Sequence, residues 1–476
     1  MENGRTIFVD LDGTLVRTDL FWEGLLAVVK HYPWRIPRLV YWLCRGREKA
    51  KAFVARLVGF DPTILPYEGE LLDYLRERKA AGDRLVLATA SHRRLARAVA
   101  RHLGLFDDVI ATTGRRNLKS RAKLASIRDS MGGGSFVYAG DSVADRPIWE
   151  AASASILVNA STADVDRQRQ AGKLEKLVQT RNSRLRPFVR TMRPHQWAKN
   201  VLIFVPLLAS HLYGSEGAVL QAMLGFVAFS LCASGVYFLN DLLDLDADRR
   251  HRSKQHRPLA CGDLTIPLGL MGAAILPLAA FALSALFLPW PFVLCLLGYY
   301  LLTNSYSFFL KRISTADVMT LALLYTMRIV AGALAIDVVL SSWLLAFSMF
   351  AFVSLAYLKR YIEIAALGDG ADNVHGRGYS AADSETMFVL GSASMIASVV
   401  VLSLYVNTQE GEAGYRSPYV LWLLCLLVLY WGNRIWIGAR RGKITEDPVI
   451  FAVKDKVSRL VAICFIGVVI AAKYAG

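Results

Sequence analysis

Six cysteines are few for 476 residues, and no two of them form a C-x-x-C pair. Cys44, Cys232, Cys261, Cys295, Cys425 and Cys464 are scattered, four of them in apolar runs. That spacing excludes a cysteine metal site and a disulfide framework, and leaves buried or reduced thiols. The opening "MENGRTIFVDLDGTLVRTDL" has no basic region before its apolar run, and Asp10 and Asp12 interrupt that run. It therefore lacks the pattern of a secretory signal, and the chain is expected to begin in the cytoplasm. Internal repeats and low-complexity segments are also missing.

What is present is hydrophobicity together with positive charge. The chain is 54% hydrophobic, yet it carries 55 Lys+Arg against 39 Asp+Glu, a net charge of +16. Its mean hydropathy is +0.36. Soluble proteins rarely combine the two, whereas membrane proteins do, because basic residues collect in their cytoplasmic loops. Anionic lipids or phosphorylated substrates suit the charge as partners; no nucleic-acid partner is expected.

Two halves differ in pattern. Residues 1–180 read as an α/β domain with a parallel, doubly wound sheet: "TIFVDLDG", "DRLVLATAS" and "SFVYAGDS" are short buried strands, and helical patterns such as "EGELLDYLRERKAAG" lie between them. The segment from about 15 to 66, helical and rich in Trp, Tyr and Arg, reads as a cap inserted after the first strand. Its basic aromatic part, residues 30–51, suits either the membrane surface or a cap packed only on its own domain. A linker at 181–193 precedes an all-α membrane domain at 194–476.

Apolar runs at about 200–213, 218–239, 264–288, 291–304, 316–336, 341–358, 386–406, 418–432 and 457–474 give about nine spans, two of them short. A bilayer needs roughly 20 residues per helix. The loops test that count. Expected inner loops carry "DADRRHRSKQHRP", "LKRI" and "NRIWIGARRGKITEDP", while the outer set holds one basic residue, Arg416. This asymmetry expects the N-terminus and every dense polar motif on the cytoplasmic side of an inner membrane.

One such motif is "YFLNDLLDLDADRRHRSKQHRP", residues 237–258. Asp241, Asp244 and Asp248 are spaced i, i+3, i+7, so they share a helix face, with Asn240 beside them. Like charges crowded together repel unless a cation neutralises them. Oxygen ligands in an incomplete shell suit Mg²⁺, whose other positions go to water and substrate phosphates. Asp at a helix C-terminus also opposes the macrodipole, which weighs against a purely solvated acidic end.

N-D-x-x-D-x-x-x-D after a second membrane helix resembles the first aspartate-rich motif of the UbiA-type prenyltransferase superfamily. "MRPHQWAKNVLIFVPLL", "NSYSFFLKRISTADVMTLALLYTMRIVAGAL", "LAYLKRYIEI" and "GRGY" further resemble polyprenyl-phosphate phosphoribosyltransferases, in order over about 190–476. The resemblance implies a bundle of about nine helices holding Mg²⁺ and a diphosphate donor. One departure is chemical. Where many relatives carry a second D-x-x-x-D motif, this chain has Lys359 and Arg360. An isoprenyl diphosphate has one charged end, whereas phosphoribosyl diphosphate has two, and extra cations would bind the additional phosphate. Lys199, Lys311, Arg328, Lys359, Arg360 and Arg377 are the candidates, with Tyr379 to position ribose or phosphate. Arg328 stands out because it lies deep in an apolar run.

In the first half, "FVDLDGTLV" resembles the opening motif of the haloacid dehalogenase (HAD) superfamily. Asp10 and Asp12 stand two residues apart, and the following glycine permits a tight loop. The resemblance implies Asp10 as nucleophile and Asp12 as acid/base, Thr89 and Lys119 (or Lys123) on the phosphate, and Asp10, Asp12, Asp141 and Asp145 around Mg²⁺.

Together these readings predict a bifunctional enzyme. Its membrane half would move 5-phosphoribosyl from phosphoribosyl diphosphate to a polyprenyl phosphate, with Asp241 and Asp244 central to that step. Its HAD half would remove the 5-phosphate. The enzymatic rival is prenyl transfer to an aromatic or other small acceptor. The non-enzymatic rival is a transporter, which would distribute charges along a pore; here, apart from Arg328, they gather at inner helix ends.

Overall fold

The computed structural model describes residues 4–113, 117–181, 183, 185–366, 378–408 and 415–474. Six short strands build one sheet: β1 (Thr6–Val9), β2 (Arg84–His92), β3 (Asp108–Thr112), β4 (Phe136–Gly140), β5 (Ala154–Val158) and β6 (Leu174–Val178). Their order is β3-β2-β1-β4-β5-β6, and every pairing is parallel. A parallel sheet is covered on both faces, which is why its strands read as unbroken apolar runs. The two-residue period of the strand still sorts the side chains. Ile7, Val9, Leu85, Leu87, Val137 and Ala139 face one core, and Phe8, Val86, Ala88, Phe136 and Tyr138 face another.

Between β1 and β2 lie α1 (Leu20–His31), α2 (Ile36–Cys44), α3 (Arg47–Leu57) and α4 (Gly69–Ala80). The first three form a small helical cap whose contacts include Val28, Leu39 and Val54. Asp19 caps α1, accepting from the amides of Phe21 and Trp22 at 2.9 and 3.3 Å. The remaining crossovers are α5 (Arg93–Leu103), α6 (Arg121–Met131), α7 (Arg146–Ala151) and α8 (Thr162–Gln170), with α9 (Leu185–Met192) after the sheet.

The rest is helical. A run of 3₁₀ turns (Pro194–Phe204) and the short α10 (Val205–Ala209) precede α11 (Glu216–Leu243) and α12 (Leu245–Arg250). There follow α13 (Ile266–Phe287), α14 (Trp290–Phe308), α15 (Ala316–Ala335), α16 (Ser342–Ala365) and α17 (Ser384–Val406), then helices Trp422–Arg440, Pro448–Lys454 and Lys456–Tyr474. Among the described residues, seven of these are long and apolar enough to cross a membrane. Side chains such as Leu278, Leu286 and Ile463 are 67, 75 and 66% exposed, a surface that a bilayer would cover.

The expected nine spans therefore differ from these seven at two places. Residues 200–213 are 3₁₀ turns and a five-residue helix and are not among the seven. α14 has the length, but its last turns carry Thr303, Asn304, Ser305 and Ser307, and it is not among the seven. Hydropathy registers composition and is blind to the hydrogen-bond pattern that separates 3₁₀ from α.

The chain divides into two compact units. One comprises Met1–Met192 with Tyr237–Ala273, and the other Arg193–Val236 with Ala274–Gly476. The first unit thus contains the α/β domain and also the aspartate-rich segment that follows α11.

Candidate functional site

The first constellation lies where strand order reverses, at the neighbouring C-terminal ends of β1 and β4, the crevice that ligands occupy in open α/β sheets. Asp10 follows β1 and Asp141 follows β4. Asp10, Asp141 and Asp145 each offer an oxygen, all within 4.8 Å of one another. Gly13 (φ +81) turns back over them; a Cβ there would sit 2.3 Å from Asp141 Oδ2, so only glycine fits. Lys123 Nζ lies 2.9 Å from Asp10 Oδ2 and 3.4 Å from Asp145 Oδ1. It donates to the Tyr138 hydroxyl at 2.8 Å, which donates to Asp145 Oδ1 at 2.7 Å.

Burial pushes Asp10 up, with Lys123 opposing, and burial reinforced by Asp10 and Asp145 pushes Asp141 well up. Burial works to lower Lys123, but Asp10 and Asp145 outweigh it and the net direction is up. Carboxylates kept this close in a buried crevice, with a single lysine against two of them, fit a divalent cation, which would relieve their repulsion.

Asp12 is placed differently from the other three. Its Oδ1 accepts from the Leu20 amide at 2.9 Å and its Oδ2 from Ser91 Oγ at 2.6 Å. Burial and the neighbouring Asp19 push it up to about 7. Thr89 is fully buried and its Oγ1 accepts from the Ser91 amide at 2.9 Å. Lys119 is exposed, whereas Lys123 is buried against Asp10. Lys51 of the cap, which no sequence motif singled out, donates to the Ala90 carbonyl at 2.6 Å, and its charge acts on Asp12, Asp19 and Asp10.

The second constellation is the aspartate-rich segment. Helical bonding continues past α11, with Asp244 N donating to Asn240 O at 2.9 Å and Asp248 N to Asp244 O at 2.8 Å. Asp241 and Asp248 are buried and share one arginine: Arg257 donates to Asp241 Oδ1 at 3.1 Å and to Asp248 Oδ2 at 2.6 Å. Lys30 of α1 lies 3.8 Å from Asp244. Burial raises Asp248 against the pull of Arg257. Asp246 instead lines a cavity of about 290 Å³ with Glu23, Asp61, Arg249 and Arg250. Glu23 on α1 accepts from Arg249 through both carboxylate oxygens, at 2.5 and 3.0 Å. Among the described residues, the acidic side chains close enough to hold an ion as they stand are Asp10, Asp141 and Asp145, not Asp241, Asp244 and Asp248. The oxygen donors of the second group suit a hard cation, but Arg257 stands between two of them.

The second unit carries the expected cations. Lys199 and Lys359 converge on Asp447 Oδ2 at 2.8 and 3.0 Å. Burial works to raise Asp447, yet the two ammonium groups hold it well below the usual carboxylate range. Arg328 donates to Asn200 Oδ1 at 2.8 Å and to the Tyr299 hydroxyl at 3.1 Å, with its guanidinium over the Tyr299 and Tyr325 rings. Arg360 forms a fully buried ion pair with Asp317, and both bond the Tyr306 hydroxyl at 2.8 Å. The Tyr379 hydroxyl accepts from the Thr315 amide at 2.9 Å. Lys311 lies in the single turn Leu310–Arg312. Arg377 lies outside the described residues. Sequence reasoning missed Asp447, Asp317 and Arg257. Each is a partner that closes a charge pair from a distant part of the chain or from a loop rich in similar bases.

A parallel α/β domain with a carboxylate–lysine crevice, joined to apolar helices, defines a hydrolase-like domain fused to a membrane domain. The family comparisons give the same division: residues 7–150 match the haloacid dehalogenase-like hydrolase model, and residues 201–445 match the UbiA prenyltransferase family model. The chain belongs to the UbiA prenyltransferase family, carries an N-terminal HAD-like domain, and is an integral membrane protein.

Among its relatives, it is 37% identical over 471 residues to "Uncharacterized protein y4nM" of Sinorhizobium fredii, covering 98% of this chain and 90% of that one. It is 36% identical over 283 residues to "Nodulation protein NoeC" of Azorhizobium caulinodans, covering 59% of this chain and 90% of the relative. It is 27% identical over 288 residues to the decaprenyl-phosphate phosphoribosyltransferase of Mycobacterium tuberculosis, covering 60% of this chain and 93% of that enzyme.

Proposed function

We propose that the chain is a bifunctional enzyme that makes polyprenyl-phosphoryl-ribose. In the first step a polyprenyl phosphate oxygen forms a bond to the anomeric carbon of phosphoribosyl diphosphate, and the bond from that carbon to the diphosphate breaks. In the second step the HAD-like domain (residues 1–180, with a linker at 181–193) hydrolyses the remaining 5-phosphate. The membrane domain (194–476) performs the first step, and both active sites face the cytoplasm. The observation that carries the reading is the set of cations Lys199, Arg328 and Arg360, all buried, with the half-buried Lys359, a donor set for phosphate oxygens where an isoprenyl donor would need fewer. The resemblance to a decaprenyl-phosphate phosphoribosyltransferase supports it.

Mg²⁺, held by Asp10, Asp141 and Asp145 in one domain and by Asp241, Asp244 and Asp248 in the other, would neutralise phosphate charge. In the HAD-like domain Asp10 attacks phosphorus. Asp12, half-buried and raised to about 7, is set to hold a proton near neutral pH and deliver it to the leaving oxygen. Lys123 rather than Lys119 steadies the phosphoryl oxygens, with Thr89 shaping the loop. In the membrane domain Asn240, Lys199, Lys311, Arg328, Lys359, Arg360, Arg377 and Tyr379 bind the donor, and the polyprenyl phosphate, already anionic, needs no strong base. Catalysis there comes from positioning and charge neutralisation.

The test is mass spectrometry of lipid products from purified protein given Mg²⁺, phosphoribosyl diphosphate and a polyprenyl phosphate. Wild type is expected to give the unphosphorylated ribosyl lipid, Asp10→Asn the 5-phosphorylated form, and Asp241→Asn neither. Consumption of a prenyl diphosphate with no ribosylated lipid would replace this reading with prenyl transfer to a small acceptor.

A further inference from the structure

The cap carries an apolar surface that its own domain does not use. Between Lys30 and Arg47 there are five bases (Lys30, Arg35, Arg38, Arg45 and Arg47) and no acid. α2 packs inward through Leu39, which is buried with Val28 and Val54. Its other face is not polar. Pro37, Val40, Tyr41 and Cys44, spaced i, i+3, i+4, i+7, share one stripe, and all four are exposed. Trp34, one turn earlier, is 69% exposed. Arg45 lies 4.9 Å over the Tyr41 ring, so the bases border the aromatics instead of sitting on the opposite face. A globular domain turns the apolar stripe of a helix to its core. Here the stripe points out, and a small buried contact holds the helix from behind.

The location of this stripe is constrained by the chain itself. The Lys30 ammonium donates to the carbonyl of Leu243, the last residue of the membrane-crossing helix α11. Trp34 follows Lys30 by four residues, a reach of at most about 14 Å of extended chain. The aromatic and basic surface therefore begins beside the point where a span ends.

We propose that Pro33–Cys44 is an interfacial element. Trp34, Val40 and Tyr41 dip into the headgroup layer of an anionic bilayer, and Arg35, Arg38, Arg45 and Arg47 meet the lipid phosphates. Aromatic rings and long basic side chains are the residue types that settle at that depth. The cap then rests on the membrane. This inference does not depend on which group the membrane domain transfers.

The test uses the full chain in lipid nanodiscs of phosphatidylglycerol or of phosphatidylcholine. A Val40→Cys change, in a background with Cys44→Ser and Cys464→Ser, takes a polarity-sensitive fluorophore. A second preparation carries the label at Leu278→Cys, an apolar side chain on α13 exposed for lipid. The expected result in phosphatidylglycerol is a blue-shifted Val40 label that loses about half its emission to doxyl-lipid quenchers, with less of both in phosphatidylcholine. Water-like emission at Val40 without quenching in either lipid, while the Leu278 label is quenched, overturns the proposal. A shift at Val40 that appears only with two copies per disc also overturns it and assigns the stripe to a second copy of this chain.

Discussion

The two acidic constellations use the same side chain and differ in how the backbone delivers it. At the first, Asp10 and Asp141 come from the ends of adjacent parallel strands and Asp145 from the turn after β4, so three oxygens converge within 4.8 Å. At the second, Asp241, Asp244 and Asp248 come from one helical stretch. Neighbours on a helix face stand about 5–6 Å apart and rise along the axis. Carboxylates on one helix can line a wall but cannot surround an ion. The consequence is visible in the counter-charges. Lys123 braces the first group from one side, while Arg257 bridges Asp241 and Asp248. The strand-end carboxylates are already gathered, whereas the helical ones, on the proposed function, would have to exchange an internal cation for an external one.

The largest expected effects separate the two sites. Asp10→Asn should lower hydrolysis of a phosphate monoester by on the order of 10⁴-fold and leave lipid glycosylation intact, since it removes the proposed nucleophile of one site alone. Asp241→Asn should do the reverse, and assaying both reactions on both variants checks it. Comparable loss of both reactions in either variant would break the comparison. Next in size is Arg360→Ala. It removes the cationic partner of Asp317, which is fully buried, and removing one partner of such a pair costs about 3–5 kcal/mol. Thermal unfolding in detergent should show a clear drop, and Arg360→Lys should recover only part of it, because one ammonium cannot bond Asp317 and Tyr306 as the planar fork does.

Arg257→Gln is a smaller change that tests the exchange directly. Hydrogen bonds to charged groups contribute about 1.5–3 kcal/mol, so removing the bonds of Arg257 to Asp241 and Asp248 should let the transferase reach half-maximal rate at a Mg²⁺ concentration about tenfold lower. The HAD reaction should keep its Mg²⁺ dependence. A transferase titration that moves to higher Mg²⁺ would mean that Arg257 supports the metal instead of competing with it.

The sequence made some of this legible and hid the rest for definite reasons. β1, β2 and β4 could be read because parallel strands are apolar throughout, and Asp10 and Asp141 because each sits at the end of such a run. The spacing of Asp241, Asp244 and Asp248 placed them on one face, and Asp241 and Asp248 do reach the same arginine. Asp447 was not legible: it is 248 residues from Lys199, and only the folded chain brings them to 2.8 Å. Lys123 could not be ranked over Lys119 because the two stand four residues apart across the start of α6, one exposed before the helix and one buried inside it. The discontinuity of the first unit was hidden as well. Tyr237–Ala273 lies between apolar helices in sequence, and its grouping with the α/β domain rests on contacts such as Glu23–Arg249 and Arg17–Asp263, which carry no local signature.

That grouping leads to the smallest expected effect. α1 touches both constellations: the amide of Leu20 at its start donates to Asp12, Glu23 holds Arg249, and Lys30 near its end lies against Asp244. Arg249 is buried and also donates to the Ala260 carbonyl at 3.0 Å, so it fixes the loop after the aspartates to the cap. Glu23→Gln keeps the shape and removes the charge, weakening this hold by about 1–2 kcal/mol. A link of that size should loosen the loop without unfolding the domain. The expected outcome is faster amide exchange across 245–262, a several-fold rise in KM for the soluble donor and little change in the hydrolysis of a small phosphate ester. If exchange quickens and both reactions are untouched, the clamp joins the cap to the loop for stability alone. If hydrolysis falls with it, the helix transmits strain to Asp12 through the Leu20 amide, and the strand-end site is less independent of the helical one than their geometries suggest.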